Sequence, residues 1–303
     1  MDQLKGMQVF VRVVEMGSLS AVARDMQTTQ PTVSKTIANL EAVVGARLLE
    51  RSTTGLTVTI AGKRFYDRAK RVLDAYEEAL ADARGELEKP AGLVRISAPI
   101  GIGQVHLSAA IQQFLRAYPD IQVELMLNDR MVDLIEEGID LAMRLSGHLP
   151  GNLVARKIGR SRRVLLASPA YLARHGTPQV IDDLARHNFV RYAGLQGDRI
   201  SFNRAGEVVE VEVSGQFHVN NSLAVRECLE TGFALGMAPM WLVDDLLQSG
   251  RLLQILPEWQ GAPHDVHLLY PFGRFMPLRT RTLITFLETA VPTWAGLEGV
   301  GAT

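Results

Sequence analysis

The first 44 residues hold three helix-length segments separated by only two short breaks. Residues 2–16 place Leu4, Met7, Phe10, Val11 and Val14 at helical spacing, and Gly17 is a stop signal. Ser18 is a plausible N-cap for a short Ala-rich helix from Leu19 to Met26. Thr28-Thr29-Gln30-Pro31 then reads as a turn and a helix start, because proline suits the first helical turn. Three short helices so closely spaced must pack on one another to bury their apolar faces.

The third helix, about 30–43, is the most informative. Val33, Ile37, Leu40 and Val44 fall on one narrow face and are expected to be buried. The opposite face carries Pro31, Thr32, Lys35, Ala38 and Asn39. Small and polar side chains beside a cation can enter a DNA major groove and bond phosphates and base edges. Taken alone, an ordinary amphipathic helix with a solvated face would look the same. The next stretch decides between them. Leu48 to Thr59 reads as two short strands around a turn bearing Gly55. Helix, helix, turn, helix and hairpin make a winged helix-turn-helix, whose second motif helix lies in the groove.

A long helix follows, from about Ala61 to Glu88. Phe65, Ala69, Val72, Tyr76, Ala79 and Ala83 alternate spacings of four and three, flanked by Leu73, Leu80 and Leu87. That seam predicts a partner helix, hence at least a dimer.

Charge is unevenly spread along the 303 residues, although the formal net charge is only −1. Residues 1–73 hold 11 Lys and Arg against 6 Asp and Glu, whereas residues 74–90 hold 2 against 6. A basic head beside an acidic stalk is the pattern of an electrostatic footprint confined to one module. The single cysteine, Cys228, cannot form an internal disulfide, and it reads as a core thiol. No apolar run of about 18 residues and no signal-peptide pattern occurs, so a cytoplasmic chain is expected.

The run GSLSAVARDMQTTQPTVSKTIANLEAVVGARLLERSTTGLTVTIAG resembles the DNA-binding domain of LysR-type transcriptional regulators. Its landmarks are AVARDM, QPTVSKTIANLE, GARLLER and LTVTIAG in a fixed order. The resemblance implies DNA contacts by Thr28, Thr29, Gln30, Pro31, Thr32, Ser34 and Lys35, and wing contacts by Arg51, Ser52, Thr53 and Thr54. Asn39 stands where the family often has arginine, and Gly55 where it often has a basic wing residue. The resemblance further implies a bacterial homotetramer and an inverted-repeat operator, with RNA polymerase as a further partner.

Lys89-Pro90-Ala91-Gly92 reads as a hinge. Beyond it, strands at Leu93–Ser97, Ile121–Leu127 and Asp140–Leu145 alternate with helices at about 103–117 and Val132–Glu137. That order predicts an α/β sheet. Val164–Ala167 leads into a second unit, Val266–Tyr270 returns, and Leu278–Ala290 closes as a helix. The expected domains are 1–60 (winged helix-turn-helix), 61–90 (linker helix) and 91–303 (effector domain). Within the last, lobe 1 covers about 91–163 and 265–303, and lobe 2 about 164–264. Two α/β lobes around a cleft resemble the periplasmic-binding-protein-like effector domain of the family.

Ligands in such sheets sit at strand ends and helix starts. The candidates are Ser97, Pro99, Ile100, Asn128, Asp129 and Arg144 in the first lobe. In the second they are Ser201, Phe202, Asn203, Asn220, Asn221, Ser222 and Pro239. A small carboxylate effector would be held by Arg144 or by the helix start at Asn220–Ser222. No cofactor, metal or catalytic constellation is expected: the seven histidines show no ligand spacing, and no nucleophile elbow or Walker loop occurs. A regulator is therefore expected. A solute-binding protein would need a secretory signal, and a small-molecule enzyme would need a reactive group.

Overall fold

The computed structural model describes residues 2–52, 55–83, 89–145, 151, 153–193, 199–271 and 276–299. The chain divides into two compact units, Met1–Lys89 and Pro90–Thr303.

The first unit contains α1 (Gln3–Met16), α2 (Leu19–Asp25), α3 (Gln30–Val44), the hairpin β1 (Leu49–Ser52) and β2 (Gly55–Val58), and α4 (Ile60–Ala83). Local chemistry sets the boundaries. The Asp2 carboxylate accepts from Leu4 and Lys5 N–H at the start of α1, and Gly17 ends it with φ 64°. Ser18 caps α2 by accepting from Ala21 N–H. Thr29 caps α3, with Pro31 in its first turn and Gly45 ending it at φ 73°.

Val9, Phe10, Val13, Val22, Ala23, Val33, Ile37, Leu40, Leu48 and Leu49 form the core of this unit. Val44 does not join Val33, Ile37 and Leu40. It is 36% exposed, because it occupies the last position of α3, one turn past the core-forming residues. The seam of α4 is divided. Phe65 meets Phe10 edge-on at 5.5 Å, and Ala69 is buried. Val72 and Tyr76 remain exposed. Leu87 lies outside the described residues.

The second unit is built on a nine-stranded sheet. Its strands are β3 (Gly92–Ala98), β4 (Ile121–Leu127), β5 (Leu141–Leu145) and the long β6 (Leu153–Ala167). Later come β7 (Arg191–Tyr192), β8 (Arg199–Arg204), β9 (Glu207–Glu212), β10 (His218–Val219), β11 (Gly236–Pro239), β12 (Leu253–Gln254) and the long β13 (Gln260–Pro271). The order is β11-β6-β13-β5-β3-β4, with β12 on β6, and β8 joining β13 to β9. β7 and β10 form a separate parallel pair. The helices are α5 (Ile100–Ile102), continued by a π-helical turn Gly103–Leu107 into α6 (Ser108–Ala117), then α7 (Pro169–His175), α8 (Ser222–Glu230), α9 (Met240–Gln248) and α10 (Leu278–Ala290).

β3 pairs in parallel with β4 and β5, whereas β13 runs antiparallel to β5 and β6. The two long strands run side by side through both halves of the unit. Their ladder slips between Gly261 and His264, and again between Val266 and His267. One core lies among β3, β5, α6, α8, α9 and α10, and a second among β8, β9 and the Tyr171–Phe189 region. Val132–Glu137 is a turn, not a helix. Asp133 accepts from Ile135 and Glu136 N–H, and Gly138 at φ 72° ends the turn after one cycle.

Candidate nucleic-acid interface and ligand cavity

The outer face of α3 is polar and short. Thr28, Thr29, Pro31, Thr32, Lys35, Ala38 and Asn39 are exposed, while Gln30 and Ser34 are half-buried. The Thr29 and Thr32 hydroxyls share a hydrogen bond of 2.8 Å, and Thr36 Oγ1 donates to Thr32 O at 2.9 Å. These bonds order the first turn, whose N–H groups give the helix start its positive end. The far half of α3 is fastened to the wing. Glu41 Oε1 accepts from Leu48 N at 2.7 Å and Leu49 N at 3.1 Å. Thr59 Oγ1 donates to Arg47 O at 2.8 Å and accepts from Gly62 N at 2.9 Å. Arg51 and Ser52 lie on β1, with Ser52 opposite Gly55. Thr53 and Thr54 lie outside the described residues.

The second unit has an open cleft of about 350 Å³ between its two halves. Five of the expected ligand residues line it: Pro99, Asp129, Arg144, Ser222 and Pro239. Four others stand beside it. Ser97 is buried and accepts from Arg144 Nη2 at 2.9 Å. Ile100 N donates to Asp129 Oδ1 at 3.0 Å. Asn128 Oδ1 accepts from Arg130 N at 2.9 Å, and Asn221 Oδ1 accepts from Leu223 and Ala224 N–H at the start of α8. Asn220 is exposed and is not in the cavity wall.

Ser201, Phe202 and Asn203 are not brought to this cavity. They sit in mid-strand on β8, not at a strand end, and line a separate open cavity of about 590 Å³ with Arg160, Arg162 and Glu258. Phe202 is fully buried in the second core.

Sequence reasoning missed Arg163, Tyr192, Trp241 and His264, all in the cavity wall. The only signal for Arg163 was its place at the end of a charged run, just before the apolar Val164–Ala167. Burial holds the Arg163 guanidinium down to about 10, so it is still a cation at neutral pH. Burial and then the Arg163 charge hold His264 down to about 3, with Asp265 opposing. His264 is therefore neutral over the physiological range. Arg144 is also lowered by burial, but Asp129 and Glu137 offset this. The Cys228 thiol is buried and raised by desolvation, as suits a core position.

His264 carries a pH consequence. Its folded value lies below the unfolded value, so its contribution is complete above about pH 6.5 and declines as pH falls toward 3. The slope is about 1.4 kcal/mol per pH unit for one group. His106, His187 and His267 are lowered in the same sense, while Asp265, held near 2, acts only at lower pH. Urea unfolding at pH 7 and pH 5 should show a smaller loss for His264→Gln than for the wild type, by about 2 kcal/mol. Equal losses would remove His264 from this account.

Residues 4–63 match the family described as "Bacterial regulatory helix-turn-helix protein, lysR family", and residues 87–292 match "LysR substrate binding domain". The probable HTH-type transcriptional regulator LtrA of Klebsiella pneumoniae is 31% identical over 296 residues, covering 96% of each chain. PtxR, an HTH-type transcriptional regulator of Pseudomonas aeruginosa, is 33% identical over 288 residues, covering 94% of this chain and 92% of that one. The full-length structure of AphB, a Vibrio cholerae virulence activator, aligns with a TM-score of 0.59 at 29% identity, over 94% of this chain and 98% of AphB. Helix-turn-helix unit, α/β effector unit and whole-chain similarity agree: this chain belongs to the LysR family of bacterial transcriptional regulators.

Proposed function

We propose that this regulator, acting in the bacterial cytoplasm, inserts α3 of each protomer into the major groove of an inverted-repeat operator. The observation that carries this reading is the division of α3. Its Val33, Ile37 and Leu40 are buried, and its exposed face offers hydroxyls, an amide and Lys35. Residues 1–60 are the DNA-binding domain, and the wing residues Arg51 to Thr54 follow the backbone. Residues 61–90 pair two protomers through the part of α4 where Val72 and Tyr76 are uncovered. Two such dimers form a homotetramer. Residues 91–303, with lobes at about 91–163 plus 265–303 and at 164–264, hold a small effector in the 350 Å³ cavity. The effector acts by binding the alternative arrangements of the dimers unequally, which is what any shift in their balance requires. RNA polymerase is the partner that reads the outcome. The chain performs no catalysis in this scheme.

A gel-shift salt series tests it. Operator affinity should fall steeply with salt, because neutralising phosphates releases counterions. Lys35→Ala should weaken binding and flatten the log–log slope by roughly one unit for each phosphate that the lysine neutralises. An unchanged affinity and slope would displace α3 from the groove.

A further inference from the structure

The β6–β13 ladder is common to both halves of the second unit, and a ladder with a slip is a natural place to bend. A junction between two short elements opposes that bend. One is α5 with its π-helical turn, which leaves the end of β3, and the other is α9, which leaves the end of β11. Ile102 and Leu107 of the first lie in one buried core with Val225, Trp241 and Leu242 from α8 and α9, and none of the five is more than 5% exposed. The approach is close enough to require glycine. A Cβ on Gly101 would collide with Ser222 Oγ and stand 3.1 Å from Trp241 Cη2. Parting the halves at the slip would bring this apolar surface into water, against the hydrophobic effect.

A polar pin crosses the same junction. His106 Nε2 lies 3.0 Å from Trp241 O, and a carbonyl oxygen only accepts, so Nε2 carries the proton. The imidazole lies parallel to the Trp294 ring at 5.2 Å, with 8° between the planes, and edge-on to Trp241 at 6.3 Å. Burial lowers the imidazole below its ordinary value, opposed by the Trp241 O bond, Asp244 and Asp245, so the ring is neutral at pH 7. A neutral ring stacks and donates one bond without bringing a charge into the core. His106 is placed by the π-helical turn, in which Ser108 N–H reaches back to Gly103 O. Such wide turns are single insertions in α-helices and are frequent at functional sites. Trp294 opens a segment that is itself tied down. Ser161 Oγ is fully buried, donates to Gly296 O at 2.8 Å and accepts from the Trp241 backbone N–H at 3.3 Å. One hydroxyl thus joins β6, the C-terminal segment and the start of α9.

We propose that His106 and the Trp294–Glu298 segment pin α9 to the π-helical turn, so that the effector unit moves as one block and the cleft is a preformed gap of fixed width. A ligand is then selected by fit to an existing shape, not by closure of the halves around it. Its signal leaves through movement of the whole unit, not through a change of angle inside it. The inference is independent of the operator and of what occupies the cleft.

The test is hydrogen–deuterium exchange on the full-length protein, read by mass spectrometry in peptides covering 103–108, 240–246 and, for reference, β3. In the wild type the first two should exchange as slowly as β3, within about threefold, because only global unfolding exposes them. His106→Ala should speed both by roughly tenfold or more and leave β3 unchanged, which shows that the unit has folded. Trp294→Leu, which stays apolar and loses the ring, should speed them about threefold. A disulfide separates parting of the halves from local fraying. The Cβ positions of 101 and 222 lie 3.4 Å apart, beside the roughly 3.5–4.5 Å of natural disulfides, and the one native thiol, Cys228, is buried. Gly101→Cys with Ser222→Cys, added to His106→Ala and closed by oxidised glutathione, should restore wild-type exchange, and reduction should release it again. Three results would overturn the proposal. The first is wild-type junction peptides that exchange about tenfold faster than β3. The second is no acceleration in either His106→Ala or Trp294→Leu. The third is an acceleration that the closed disulfide leaves in place.

Discussion

Alanine at position 62 should destabilise the N-terminal unit by about 3 kcal/mol and weaken operator binding. Gly62 is buried in the first turn of α4. A Cβ there would stand 2.0 Å from the Leu48 carbonyl oxygen, and 2.9 Å from both Leu48 C and Val58 Cγ1. The obstacle is backbone, and that backbone is held on both sides of the Leu48 Cα. Leu48 N–H is bound by Glu41, and Leu48 O accepts from Thr59 N at 3.0 Å and Thr59 Oγ1 at 3.3 Å. The peptide can retreat only by breaking the bonds that join α3 to the wing. A domain this small has a total stability of about twice the expected loss, at roughly 0.05–0.15 kcal/mol per residue. Gly45→Ala is the control. Gly45 has φ 73° but open space around its Cβ position, so only backbone strain of about 1 kcal/mol applies. Circular-dichroism melting of both variants decides it. An N-terminal transition that moves no more in Gly62→Ala than in Gly45→Ala would refute the packing argument.

Gly296→Ala should damage the other unit. Its φ is +70°, and a Cβ would lie 2.3 Å from Met240 C, 2.4 Å from Trp241 N and 2.6 Å from Met240 O. Strain and collision act together here, for an expected loss of about 3 kcal/mol or more. The segment around Gly296 is a strap. Gly296 O accepts from Ser161 Oγ at 2.8 Å, and Glu298 exchanges two backbone bonds with Arg160 at 2.8 and 2.9 Å. Displacing the strap moves the start of α9, which carries Trp241 and follows Pro239, both in the cavity wall. Binding of any cavity ligand should fall with stability, while residual operator binding by the N-terminal unit persists. Urea unfolding and a ligand titration read the two effects. An unaltered C-terminal transition would show that the strap yields easily.

What the sequence revealed and what it hid differ in kind. Elements bounded by local chemistry were legible: Gly17, Ser18, Thr29 and Gly45 mark helix ends through their own side chains or backbone. Ile121–Leu127 and Leu278–Ala290 were legible from apolar patterning. The lengths of β6 and β13 were not, because their middles are charged. Lys157, Arg160 and Asp265 read as loop residues until their pairing across the sheet is known, and Arg156 until its pairing with Glu288 on α10 is known. The same reason hid Arg163, whose distinction is that no described carboxylate pairs with it, and that is a property of space and not of sequence. Strand ends lead to the cavity wall where a strand does end, as at Pro99 and Pro239. They misled at Ser201–Asn203, where a hairpin strand continues to Arg204.

Arg163, beside the β6–β13 slip and without a carboxylate partner among the described residues, has a consequence for the protein's lifetime. A buried cation without a counter-charge lowers the stability of the empty domain. A ligand that supplies the charge adds RT ln(1 + [L]/Kd), about 2.7 kcal/mol at a hundredfold excess over Kd. Cellular proteases act on the unfolded fraction, so a change of that size alters abundance several-fold. The number of regulator molecules in a cell would then rise with any ligand that fills the cavity, and turnover itself would sharpen the response.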